Sequence, residues 1–202
     1  MNAPVDVTSW YLETNRLILR PWKESDLADF YEYASVEGVG EMAGWPHHKS
    51  LEESRRILQM FIWENKTLAI VLRKTGKVIG SLGIERVEER DSTPAVWKGR
   101  ELGYVLSREY WGRGLMPEAV SAVIDYCFRV LGYDYLDCAH FAGNHQSRRV
   151  IEKCGFEYVG ETKTETRYGT VEDTLLYSMV NPYKWIPVTE HVKRIGGTSC
   201  LN

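Results

Sequence analysis

Apolar side chains along this chain recur with two periods, and the places where one gives way to the other mark out the elements. Arg16 to Arg20 alternates charged with aliphatic residues, as a half-buried strand does, and Pro21 stops the run. Leu27, Phe30, Tyr31 and Ala34 follow at helical spacing, with Ser25 and its polar neighbours available to cap them. Gly44-Trp45-Pro46-His47-His48 reads as a turn. Ser50-Leu51-Glu52-Glu53 then has the form of a capping box and predicts a second helix to about Trp63, carrying Leu58, Phe61 and Ile62 inward. The β-rich runs 68–72 and 78–84, separated by Arg73-Lys74-Thr75-Gly76-Lys77, predict a hairpin.

The polar stretch 88–98 predicts an exposed loop, and 99–106 the next strand. Val120, Val123, Ile124, Cys127, Phe128 and Leu131 return to helical spacing, with Glu118, Ser121, Asp125 and Arg129 on the opposite face, and Gly132 closes the helix. Residues 135–140 predict a strand. Asn144-His145-Gln146-Ser147 opens a short helix that holds Val150, Ile151 and Cys154 and ends at Gly155. Strands at 156–161 and 173–180 complete the pattern. A hairpin early and a strand-helix-strand unit later predict an α/β fold, with a mixed sheet in one domain over residues 1–185. Residues 186–202, with Gly196-Gly197-Thr198-Ser199, are expected to form a flexible tail.

Composition narrows the class. At 202 residues the chain suits one domain with a sizeable core, and 44% hydrophobic with 26% charged residues is ordinary for a soluble globular protein. A formal charge of −3 and a pI near 6.0 argue against a general nucleic-acid binder. No segment has the length or apolarity of a membrane span or an export signal, so a cytoplasmic location is expected. Cys127, Cys138, Cys154 and Cys200 lack metal-ligand spacing and read as free thiols, so no metal is expected.

The chemistry concentrates where the 99–106 strand runs into the long helix, at Tyr110-Trp111-Gly112-Arg113-Gly114-Leu115-Met116. Glycine at 112 and 114 allows positive φ and close backbone approach, and the first turn of the helix presents N–H groups without helical partners. Together these suit an anion. The stretch lacks the Lys-Ser/Thr pair of a P-loop and the third glycine of a dinucleotide fingerprint, so neither ATP nor NAD is implied.

Four segments, in order and at matching spacing, resemble the GNAT superfamily of acetyl-CoA-dependent N-acetyltransferases, in the branch similar to ribosomal-protein N-terminal alanine acetyltransferases (the Rim type). They are Thr14-Asn15-Arg16-Leu17-Ile18-Leu19-Arg20-Pro21, Glu101-Leu102-Gly103-Tyr104-Val105-Leu106, the glycine turn with Glu118-Ala119, and Asn144 to Phe156. The resemblance implies a mostly antiparallel central sheet flanked by helices, with a splayed central strand pair. It implies that main-chain N–H groups of Gly112, Arg113, Gly114, Leu115 and Met116 cradle the pyrophosphate of coenzyme A. A bulged, splayed strand at Val105-Leu106-Ser107 would hold the pantetheine arm, with Asn144 contacting that arm and Arg113 and Arg149 near the phosphates. Glu109 stands where many relatives carry Arg or Gln and is expected to face away, and Pro117 removes one N–H from the first helical turn.

Acetyl transfer needs an unprotonated amine, stabilisation of a developing oxyanion and support for a departing thiolate. The Leu106 N–H is the candidate oxyanion donor. Glu101, at the start of its strand, is the candidate base, although a carboxylate is a weak base unless burial raises its pKa. Ser147 matches the family position that donates to the sulfur, with Tyr104 and Tyr177 as alternatives. A tyrosine, pKa about 10, is the better-matched acid in isolation. Trp45, His47, His48 and Trp97 are candidates for the acceptor cleft. The expected acceptor is a primary amine, a protein N-terminus being favoured by the resemblance, with an antibiotic, a polyamine or a catalytically silent acyl-CoA-binding module as the other readings. The acid-rich run Glu85 to Asp91 keeps the polyamine open. No nucleic-acid or membrane partner is expected, and monomer and homodimer both remain open.

Overall fold

The computed structural model describes residues 1–87 and 94–184. Its strands are β1 (Leu12–Glu13), β2 (Leu17–Pro21), β3 (Thr67–Leu72), β4 (Val78–Glu85), β5 (Gly99–Leu106), β6 (Tyr135–Phe141), β7 (Glu157–Glu165) and β8 (Val171–Val180). They form one sheet in the order β1-β2-β3-β4-β5-β6-β8-β7. All neighbours are antiparallel except β5 with β6. The helices are α1 (Leu27–Ala34), α2 (Leu51–Glu64), α3 (Leu115–Asp125) and α4 (His145–Lys153). The mixed α/β architecture is the one expected.

Each face of the sheet carries its own core, which explains why β3 reads as an unbroken apolar run. Leu68 and Ile70 point to the α3 side, among Val120, Val123 and Ile151, whereas Ala69 and Val71 point to the α1 and α2 side, among Phe30, Tyr33 and Leu58. α2 starts as predicted, with Ser50 Oγ accepting the Glu53 N–H at 3.2 Å. The Glu53 carboxylate, however, reaches back to the Lys49 N–H at 2.7 Å rather than to that of Ser50. Gly132 has φ 65°, as the close of the α3 segment requires.

Other expectations are corrected. α1 is not capped by Ser25. A 3-10 turn, Glu24–Asp26, precedes it, and buried Asp26 holds the chain by accepting from Arg20 at 2.7 and 2.8 Å and from the Lys23 N–H at 2.9 Å. The strand expected to end at 161 runs to Glu165, because β8 supplies partners as far as Val171. The amino-terminal segment, assigned no element, buries Ala3, Val7 and Trp10 in the core. Of the loop expected over 88–98, residues 88–93 lie outside the described residues, as does the tail 186–202. Trp97 is not exposed: it packs with Val87 and Tyr135.

The feature that positions the site is a parting of strands. β5 and β6 pair from Gly99↔Tyr135 only as far as Leu102↔Cys138. Beyond that point β5 stays with β4 to Gly80↔Leu106, and β6 stays with β8 to Phe141↔Thr174. The splay is therefore present, but the bulge expected at 105–107 is not: the β4 ladder shows no register shift there and continues to a Ser107 N–H bond to Ile79 O at 2.7 Å.

Gly80 lets β4 support this splayed end, because a Cβ there would stand 2.4 Å from the Val105 carbonyl oxygen and 3.2 Å from Leu106 Cα. Gly80→Ala is expected to lower the unfolding free energy by about 1–3 kcal/mol, as overpacking does. Urea unfolding measures the loss, and amide shifts concentrated at 103–107 would locate it. An unchanged midpoint would show that β5 yields freely.

Candidate active site

The gap between the parted strands is the floor of a cleft of about 530 Å³. Its backbone chemistry follows from ladder alternation. Since Ser107 N–H bonds to Ile79 O, the Val105 and Gly103 main-chain groups also point to β4, while those of Tyr104 and Leu106 point the other way. β6 has left by then, so they face the cleft. The Leu106 carbonyl is taken by the Trp111 indole N–H at 2.7 Å, leaving the Leu106 N–H turned to the gap. Of the three strand residues expected to offer backbone groups to a ligand, Leu106 is the one whose N–H turns to the gap. Val105 lines the cleft with its side chain, and Ser107 spends its N–H on β4.

At one end lies the glycine turn. Gly112 and Gly114 have φ 74° and 71°, and Gly114 precedes α3 without any side-chain cap. Among the described residues the N–H groups of Gly112, Arg113, Gly114, Leu115 and Met116 have no hydrogen-bond partner. Unpartnered donors at a helix N-terminus fit a pyrophosphate. Arg149 lines the cleft nearby, whereas the Arg113 guanidinium stacks 5.3 Å from the Tyr110 ring centre and is not among the lining residues. Glu109 is exposed on the 3-10 turn Arg108–Tyr110 and does not line the cleft.

In the middle, Tyr104 Oη and Ser147 Oγ lie 2.9 Å apart. The sequence left these two as alternatives, and the fold makes them a pair. Tyr104 extends from β5, and Ser147 sits in the first turn of α4, whose N-cap Asn144 accepts the Ser147 N–H at 3.0 Å. Burial pushes the Tyr104 phenol well above its ordinary range, so it remains protonated. Tyr177 lies behind β6, stacked on His140, and does not line the cleft. The Asn144 amide donates to Met42 O at 3.2 Å, so this residue ties α4 to the turn Glu41–Ala43.

At the far end Glu101 lines the cleft, in register with Glu85 on β4 and Asp137 on β6. The wall opposite is formed by Val39, Met42 and Ala43, with Phe141 on β6. None of these was foreseen. Phe141 merely extends the apolar alternation of β6, and Met42 belongs to a turn without local signal. Trp45, His47 and Trp97 do not reach the cleft lining. Trp45 lies tilted against His48, ring centres 5.2 Å apart, and covers Gly40, and buried His48 meets Ser54 Oγ at 2.6 Å. His47 instead braces the wall: its Nδ1 donates to Glu41 at 2.7 Å, and its N–H to the same carboxylate at 3.0 Å. Tyr168 and Arg167, between β7 and β8, close the far side by donating to Glu41 O and Gly44 O. Among the described residues no group of His, Cys, Asp and Glu could hold a metal, and no helix is long and apolar enough to cross a membrane.

A splayed strand pair above an uncapped glycine turn suits an extended ligand that ends in an anion. The family described as acetyltransferase (GNAT) domain matches residues 16–157. An uncharacterized N-acetyltransferase, YoaA, of Bacillus subtilis (strain 168) is 29% identical over 177 residues, covering 85% of this chain and 97% of YoaA. The crystal structure of ribosomal-protein-S5-alanine acetyltransferase from Vibrio fischeri superposes with a TM-score of 0.69 at 25% identity, over 89% of this chain and 100% of that one. The microcin C7 self immunity acetyltransferase MccE, solved in complex with acetyl-CoA and AMP, has a TM-score of 0.69 at 17% identity, over 83% of this chain and 93% of its own. The chain belongs to the GNAT acetyltransferase family. As a member of that family it is an N-acetyltransferase, and the family's acetyl donor is acetyl-CoA.

The brace beneath the cleft wall has a pH signature. Although burial opposes it, the N–H groups of His47 and Gly38 and the His47 imidazole hold the Glu41 carboxyl at about 2, below the ordinary 4.5. A carboxyl depressed on folding stabilises fully above the unfolded value, and that contribution declines as pH falls from about 4.5 to about 2. The stability advantage of wild type over Glu41→Gln is therefore expected to be flat from pH 7 to about 5 and to shrink below it. Denaturant unfolding across that range checks this, and a pH-independent difference would contradict it.

Proposed function

We propose that this enzyme acetylates the amino terminus of a protein or peptide by direct transfer. The observation that carries this reading is the acceptor end of the cleft, which presents an apolar wall and, among the described lining residues, one carboxylate, Glu101. A single ammonium beside small apolar groups suits that end. A polycation would call for several carboxylates, while the other charged residues lining the cleft are Arg149 and Lys153. Glu85, from the acidic run, is engaged by Lys66 at 2.8 Å. The likeness to the ribosomal-protein-S5-alanine acetyltransferase of Vibrio fischeri supports the same acceptor class.

The donor supplies a thioester-activated acetyl group, and the chain's own residues do the rest. The N–H groups of Gly112 to Met116 hold the pyrophosphate with Arg149 beside it. The backbone of Tyr104 binds the pantetheine arm as a strand would, the Leu106 carbonyl being taken by Trp111. Glu101 takes the proton from the incoming ammonium, directly or through water. The amine nitrogen then bonds to the acetyl carbon while the carbon–sulfur bond breaks, the nitrogen's surplus proton passes through solvent to the departing thiolate, and the Leu106 N–H stabilises the negative charge developing on the carbonyl oxygen. Ser147 donates its hydroxyl proton in a hydrogen bond to the departing sulfur, held in place by Tyr104 Oη at 2.9 Å.

Coenzyme A release with a panel of peptides, polyamines and small amines tests the acceptor class. Peptides with small amino-terminal residues are expected to exceed spermidine in kcat/KM by about tenfold or more, about 1.4 kcal/mol in the transition state. Faster turnover of polyamines, or cofactor binding without turnover of any amine, would overturn the reading. Ser147→Ala is expected to lower kcat on the order of 10²-fold with little change in KM for acetyl-CoA, and Tyr104→Phe to lower it less. Full turnover by the alanine variant would remove Ser147 from the mechanism.

A further inference from the structure

Glycine at 114 gives the anion loop its shape but not its uniqueness. Gly114 has φ 71°, a value glycine adopts about as readily as its negative counterpart. The peptide joining Arg113 to Gly114 can therefore turn over at low conformational cost. In a trans peptide the carbonyl and the following N–H point opposite ways, so one orientation aims the Gly114 N–H at the anion and the other aims the Arg113 carbonyl oxygen at it. Something outside the loop must select between them.

The selecting group comes from 97 residues upstream. Arg16 Nη1 donates to the Arg113 carbonyl at 2.9 Å, and Arg16 Nε donates to Glu118 Oε2 at 2.6 Å. The same guanidinium thus spans the loop and the first turn of α3. Glu118 is itself fixed, taking the Arg16 N–H at 2.9 Å and the Thr14 hydroxyl at 2.5 Å on Oε1. Such a carboxylate in the first turn of α3 would repel a phosphate if left bare, and Arg16 neutralises it.

We propose that Arg16 is a positioning residue for the acetyl donor: by holding the Arg113 carbonyl outward, it presents the Gly114 N–H to the pyrophosphate, and Glu118 with Thr14 anchors it for that task. The inference rests on reading the glycine turn as the pyrophosphate cradle. A lysine cannot substitute, since one ammonium does not reproduce the planar fork that meets the carboxylate and the carbonyl together.

The test compares wild type with Arg16→Lys in amide-shift titrations against coenzyme A and against pantetheine, which lacks the pyrophosphate. The Arg16→Lys protein is expected to bind coenzyme A about tenfold more weakly, the loss typical of one strong hydrogen bond, while pantetheine binding is unchanged. The three-bond coupling of the Gly114 amide, which reports φ, is expected to change as well. Wild-type affinity for coenzyme A in Arg16→Lys, or an equal loss for both ligands, would overturn the positioning role. Wild type failing to distinguish coenzyme A from pantetheine would overturn the cradle beneath it, so the two failures are separable.

Discussion

The constraint on which this structure depends is that backbone N–H and C=O groups must be paired, combined with a place where the sheet declines to pair them. β5 and β6 are neighbours for only four residue pairs, from Gly99↔Tyr135 to Leu102↔Cys138. Each is fully engaged on its outer side, so the parting costs the sheet no collapse: β4 holds β5 to Leu106, and β8 holds β6 to Phe141. The inner edges are left as a strand-shaped vacancy in hydrogen bonding. An extended ligand with amide groups satisfies such an edge as a strand would, and a strand edge is specific for extended chains because its donors and acceptors alternate at fixed spacing.

What surrounds the parting is supplied from remote parts of the chain. The glycine turn before α3 is latched by Arg16 from the turn before β2. The turn Glu41–Ala43, which walls the other end of the cleft, is tied to α4 through Asn144 and to the β7-β8 connection through Tyr168. These ties are polar and directional, unlike the two apolar cores that hold the sheet. The division is physically sensible. Hydrophobic burial secures the layers without specifying angles, whereas hydrogen bonds to carbonyls fix the orientation of individual peptides.

The same distinction explains what the sequence made legible. Elements set by apolar period, such as β3, β4 and the α3 segment, are readable because a face must be buried whatever the tertiary details. The capping of α2 by Ser50 and of α4 by Asn144 is local and equally readable. The glycine turn, Leu106, Asn144 and Ser147 were legible as a joint pattern. Trp45, His47 and Trp97 were read as cleft aromatics because nothing local distinguishes a wall residue from one that packs behind the wall. Met42 and Val39 left no signal at all, since their place at the cleft follows from a turn docking on β6. The Arg16 bond to Arg113 is of this kind too: both residues were visible, but their meeting depends on β2 and α3 being neighbours in space.

Tyr104 and Ser147 show how the fold can reverse a preference drawn from residue chemistry. Considered alone, a tyrosine matches a thiol in pKa better than a serine does, and so is the better proton donor. Burial changes this, since it pushes the Tyr104 phenol upward and makes release of its proton more difficult. A coenzyme A thiol with a pKa of about 8.5 leaves readily as thiolate, however, and requires stabilisation rather than complete proton transfer. A fixed hydroxyl provides that. With the Ser147 N–H anchored on Asn144 and Oγ set 2.9 Å from the tyrosine, the serine hydroxyl is held in place by a protonated phenol, which is the support that the proposed mechanism asks of it.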